Sequence, residues 1–145
     1  MISERIKITR EKSEISQEKI SKVLKVNRST YAGWKNNIDP IPLKKLNDFC
    51  NFFNVTFDYI CGLNNDDNSA NFINKEITPE RISSKLNSIR KQNNESQKTI
   101  SNIIGLDQSN YSKIERGKYL IRLYPLIEFA KHYNCSIDYL CDKYK

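Results

Sequence analysis

The stretch SQKTISNIIGLDQSNYSKI, residues 96–114, decides the reading of this chain, because residues 16–34 read SQEKISKVLKVNRSTYAGW in the same register. Ser96 and Ser16 stand where a side-chain oxygen can accept from the free amides that open a short helix. That helix ends near Gly105 or Lys25, at a left-handed residue that is cheap for glycine and costlier for lysine. A single residue, Leu106 or Val26, then leads to Asp107 or Asn27, the cap of the next helix. That helix places Tyr111 and Ile114 (Tyr31 and Trp34) on one inward face.

The repetition extends well beyond this pair of helices. A shift of 80 residues aligns Ile6–Cys61 with Leu86–Cys141 without a gap. Identities include Arg10/Arg90, Gln17/Gln97, Ile20/Ile100, Ser29/Ser109, Leu46/Leu126, Phe49/Phe129 and Asp58/Asp138. An internal duplication implies two domains, residues 1–63 and 78–145, joined by a linker at 64–77. The linker, beginning NNDDNSANFINKE, is polar and aperiodic. Residues 1–63 hold 11 Lys and Arg against 7 Asp and Glu, a net +4; residues 78–145 hold 12 against 7, a net +5. The linker, with 1 against 3, is net −2, so the positive charge belongs to the two folded units.

Each unit reads as all-α, with five short helices. Ile82, Leu86 and Ile89 form a helical stripe, opened by Thr78 as cap, Pro79 in the first turn and an Ile77/Ile82 staple. Ile15 and Ile20 can staple the second helix of the first copy, whereas Glu95 removes that staple in the second. Leu43, Leu46, Phe49, Cys50 and Phe53 mark a fourth helix, and Phe57 and Ile60 a fifth after a Thr56 or Ser136 cap. No segment shows the period of a strand.

Composition excludes several classes of function. Hydrophobic residues make up 38% and charged residues 28% of 145, ordinary for a globular chain. No apolar run approaches a membrane span and the N-terminus has no export signal, so the expected location is cytoplasmic, without membrane association. A net charge of +7 favours a polyanionic partner. Cys50, Cys61, Cys135 and Cys141 suit neither a disulfide framework nor, even with His132 near two of them, a zinc site; they read as small core residues. His132 is the only histidine and is expected on a helix face. With no glycine-rich phosphate loop, no metal spacing and one histidine, neither an enzyme nor a cofactor is expected. With only four residues after Cys141, no small-molecule effector domain is expected.

Two short helices joined by a tight turn, the second opening on a polar cap, form the helix-turn-helix pattern. The residues Arg90, Ser96, Gln97, Ile100, Gly105, Leu106, Tyr111, Ile114, Glu115, Gly117, Leu126, Ala130, Ser136, Asp138 and Leu140 together resemble the Cro and phage-repressor family, also called the xenobiotic-response-element-like family. The resemblance covers nearly all of both copies. It implies two tandem lambda-repressor-like domains, each laying its third helix in the major groove of duplex DNA while the second crosses the backbone. By position it assigns Gln17 and Gln97 to phosphate contact and to buttressing the readers. Arg28, Ser29 and Thr30 become readers in the first copy, with Gly33 one turn on. Gln108, Ser109 and Asn110 become readers in the second, with Lys113 one turn on. Arginine suits the O6/N7 pair of guanine and glutamine or asparagine the N6/N7 pair of adenine, so the copies should prefer different bases. Asn27, Asp107, Ser29 and Ser109 also have plain structural explanations, as caps or solvated hydroxyls. Tyr31 and Tyr111 are expected to pack rather than stack on bases.

The copies depart unequally from the family pattern. Arg90 and Glu115 hold positions that the family joins by a salt bridge. The first copy keeps Arg10 but places Lys35 opposite, and it replaces the turn glycine by Lys25 and Gly117 by Asn37. The expected function is therefore a bacterial or phage-type transcriptional regulator, most simply a repressor. It would bind double-stranded DNA either as a pseudo-dimer of its own two units or as a homodimer. The linker, at ~13 flexible residues, spans roughly 20 Å on average and ~40 Å extended, enough for half-sites about one turn apart. The competing expectation is an antitoxin-like or anti-repressor-like module, whose first copy has lost DNA binding and mediates dimerisation or docks a regulatory protein.

Overall fold

The computed structural model describes residues 2–36, 40–65 and 73–144. The chain divides into two compact units, Met1–Asn74 and Lys75–Lys145. Both are all-α, with the same five helices in the same order. The first unit contains α1 (Ile2–Lys12), α2 (Gln17–Val23), α3 (Arg28–Lys35), α4 (Leu43–Phe53) and α5 (Phe57–Ile60). The second contains α6 (Pro79–Gln92), α7 (Gln97–Ile103), α8 (Gln108–Glu115), α9 (Leu123–Tyr133) and α10 (Ile137–Leu140).

The helix starts are chemical. Ser16, Asn27 and Thr56 each accept the amide three residues on, from Lys19, Thr30 and Tyr59. Thr78, Ser96, Asp107 and Ser136 do the same for Arg81, Thr99, Asn110 and Tyr139. Each bond satisfies one amide that the helix leaves without a partner. Pro79 sits at the first helical position, where its missing N–H costs nothing. The α2 and α7 helices end on left-handed residues, Lys25 at φ 58° and Gly105 at φ 78°. Both turns then close alike, with Val26 donating to the Ser21 carbonyl and Leu106 to that of Ser101. In the first unit Lys45 Nζ also donates to the Leu24 carbonyl at 2.7 Å, steadying the turn that lacks glycine.

Each unit has its own core. In the first, α1 packs on α3 and α5, α2 on α3, and α4 on α5. Ile6, Ile20, Leu24, Tyr31, Leu46, Phe49, Phe57 and Ile60 are buried there. Phe53, which with Leu46 and Phe49 marks α4, is half-buried. In the second unit α6 and α7 pack on α8, and α9 joins α7 to α10 around Ile82, Leu86, Ile100, Tyr111, Leu126, Phe129 and Leu140. Ile77 is buried in this unit, consistent with its staple role, and Lys75 Nζ lies 2.8 Å from Asp142 Oδ2. Packing of the second unit therefore begins at Lys75, inside the expected linker. Residues 66–72 of that linker, and Asn37, lie outside the described residues.

Candidate nucleic-acid interface

The second and third helices of each unit present one polar surface. Arg28, Ser29 and Thr30 are exposed at the start of α3, and Gln108, Ser109 and Asn110 at the start of α8. One turn on, Gly33 and Lys113 are half-buried, as are Gln17 and Gln97 at the start of α2 and α7. The fold thus gathers each set of expected site residues on its own helix pair. Tyr31 and Tyr111, 1% and 0% exposed, sit behind the readers and are closed to a base; burial pushes both hydroxyls up in pKa.

The brace behind α8 is an ion pair within a hydrogen-bond network. Arg90 Nε donates to Glu115 Oε2 at 2.7 Å and Nη2 to Oε1 at 3.0 Å, a bidentate pair whose side chains are 10% and 2% exposed. Asn87 Nδ2 reaches Glu115 Oε1 at 2.7 Å and Gln97 Nε2 reaches it at 3.2 Å. Gln97 therefore links the start of α7 to the end of α8. Burial alone would raise the Glu115 carboxyl, but the bonds from Arg90 and Asn87 outweigh it and hold it below the ordinary glutamate range. The same bond raises Arg90.

The first unit keeps half of this arrangement. Arg10 Nη1 donates to the Ile15 carbonyl at 2.9 Å, just as Arg90 Nη1 donates to that of Glu95 at 2.8 Å. Arg10 Nε, however, is buried without a hydrogen-bond partner. Lys35 stands where Glu115 stands in the second unit and has no oxygen to offer. The absent bridge expected from the sequence is thus visible as an unsatisfied donor.

Two further differences went unread in the sequence. Glu95 does more than remove a staple. Its Oε1 lies 2.7 Å from His132 Nε2, tying the α6–α7 turn to the end of α9, and that contact lowers the Glu95 pKa. The first unit has Ile15 and Phe52 at these two places, so the pair changes from polar to apolar together. Reading both alignment columns jointly carries the signal. The caps also reach past the backbone: Ser29 Oγ donates to Asn27 Oδ1 at 2.7 Å, and Asn110 Nδ2 to Asp107 Oδ2 at 2.9 Å.

The remaining surface offers little other chemistry. The four cysteines form no disulfide and three of them are buried, and no group of three or more His, Cys, Asp or Glu among the described residues could hold a metal ion. His132 lies on the exposed face of α9. No described helix is long and apolar enough to cross a membrane.

Comparison with known families agrees with this geometry. The helix-turn-helix family matches twice, at residues 6–60 and 86–140, the two segments related by the 80-residue shift. No curated protein and no solved structure matches the chain. The matched family is a DNA-binding one, not a family of enzymes. The chain belongs to the Cro/C1-type helix-turn-helix family, of which it carries two tandem copies.

Proposed function

We propose that the protein is a sequence-specific regulator of transcription, a cytoplasmic repressor that reads the major groove of duplex DNA with α3 and α8. The observation that carries this reading is the pair of exposed polar triads, Arg28-Ser29-Thr30 and Gln108-Ser109-Asn110, each opening a helix braced from behind by a buried tyrosine. Gln17 and Gln97, which open the second helix of each unit, and Lys113, one turn on from the readers of α8, are the residues we assign to phosphate contact. The unlike readers favour an asymmetric site, with guanine under Arg28 and adenine under Gln108 and Asn110.

Selection from a random duplex library tests the assignment. The unaltered protein returns a defined sequence. Arg28→Ala relaxes one part of it, and Gln108→Ala with Asn110→Ala relaxes another. If neither variant shifts the selected sequence, these residues do not contact bases.

A second reading, that the first unit docks a protein or another copy, has its own observations. Ile8, Phe52 and Leu63 are 46%, 42% and 37% exposed, where the second unit has Ser88, His132 and Lys143. Ile8 and Phe53 also line a groove of about 350 Å³ beside Val55 and Tyr59. Sedimentation of Ile8→Asp with Phe52→Asp separates the readings: docking predicts loss of association with DNA binding by the second unit intact.

A further inference from the structure

Each reading helix opens on a cap that also holds a reader. In the first unit Asn27 Oδ1 takes the Thr30 amide and the Ser29 hydroxyl, both at 2.7 Å. The single hydroxyl proton of Ser29 is thereby used, and its oxygen faces outward as an acceptor only. In the second unit Asp107 divides the work. Its Oδ1 takes the Asn110 amide at 2.7 Å, and its Oδ2 takes Asn110 Nδ2 at 2.9 Å.

A carboxylate can only accept, so the second bond decides which way the Asn110 side-chain amide points. The nitrogen is turned toward Asp107. The Oδ1 acceptor and the remaining N–H are left for a ligand. That is the acceptor-and-donor pair that matches N6–H and N7 of adenine in the major groove. Reversed, the amide would offer its donors first and suit the acceptors of guanine instead. We propose that Asp107 is a positioning residue for base readout, which selects adenine by holding Asn110 in one of its two orientations. This rests on the DNA-reading function proposed above.

The device is specific to the second unit. At the corresponding places the first unit has Asn27 and Thr30, and Thr30 makes only its backbone bond to the cap. Asn27 also shows that asparagine caps a reading helix of this fold, so Asp107→Asn should fold. The new Nδ2 would be a donor facing a donor, and Asn110 would turn to offer its oxygen instead.

The experiment measures binding of the full chain to duplexes varied one base pair at a time. Asn110→Ala first identifies the pair that this residue reads. Asp107→Asn is expected to lower adenine discrimination at that pair about tenfold or more, the factor that a bidentate contact supplies. Binding to random duplex should hold or rise slightly, since a negative charge has gone. Asp107→Ser, which keeps a capping oxygen but loses the second acceptor, gives the same loss should Asp107→Asn prove unstable. If both variants fold and adenine preference at that pair persists, Asp107 is a cap alone and the inference is wrong. If Asn110→Ala changes preference at no pair, the inference falls with the assignment of Asn110. Failure of the unaltered protein to bind random duplex at low salt would remove the DNA-reading function beneath it.

Discussion

Position 35 and its counterpart 115 show how one residue separates two copies of a fold. Glu115 satisfies Arg90, Asn87 and Gln97 together, so Glu115→Gln should destabilise the second unit by about 3 kcal/mol, the scale of breaking a buried pair. Lys35→Glu should do the reverse in the first unit, by roughly 1–2 kcal/mol, because it offers acceptors to the buried Arg10 Nε. Trp34, the only tryptophan, and His132, the only histidine, lie in different units. Tryptophan fluorescence and histidine NMR signals during urea unfolding therefore report the two units separately. The pH dependence has a fixed sign. The folded-state pKa of Glu115 is depressed, so its stabilisation is fully present above the ordinary glutamate value, ~4.3, and is lost as pH falls through the lower folded value. Glu115→Gln should reduce that acid sensitivity, leaving the part due to Glu95 and Asp142, whose carboxyls are also held low; if the acid slope is unchanged in the variant, the ion pair contributes nothing to it.

At the level of the element, the turns separate the copies again. The first unit places Glu14 and Lys25 in the left-handed region where the second has Asn94 and Gly105. A left-handed residue other than glycine or asparagine costs roughly 1 kcal/mol, so Lys25→Gly should stabilise the first unit by about that much, read as a higher urea midpoint. Gly105→Ala should destabilise the second by a similar amount, read as a lower midpoint. A methyl at Gly105 would meet nothing within 4 Å, so the cost there is conformational rather than steric. These elements were legible in advance because their signals are local. A serine, threonine, asparagine or aspartate three residues before the amide it caps identifies a helix start from a few letters, as Ser16, Thr78 and Asp107 do. The Glu95–His132 contact spans 37 residues and Asn87–Glu115 spans 28. Which polar side chains meet at that separation is decided by how the helices pack, and one chain's letters do not state it. The bonds from caps to readers escaped for another reason: residue type says that Asn110 can bond, but only the local geometry says to which oxygen.

For the whole molecule, the duplication supplies two helix-turn-helix units on one chain, each built on its own core and each net positive, +4 for residues 1–63 and +5 for 78–145. Under the proposed function, covalent linkage raises the effective concentration of the second unit once the first has bound, and the unlike residues proposed as readers favour a site whose two halves differ. The proposed function requires these basic helical surfaces to hold duplex DNA through its phosphates. The most direct test is the salt dependence of binding to random duplex. A DNA-bound chain gives a steep linear fall of log affinity with log salt, near −0.9 for each phosphate neutralised. A flat line, or no binding at low salt, would show that the chain does not hold DNA through its phosphates.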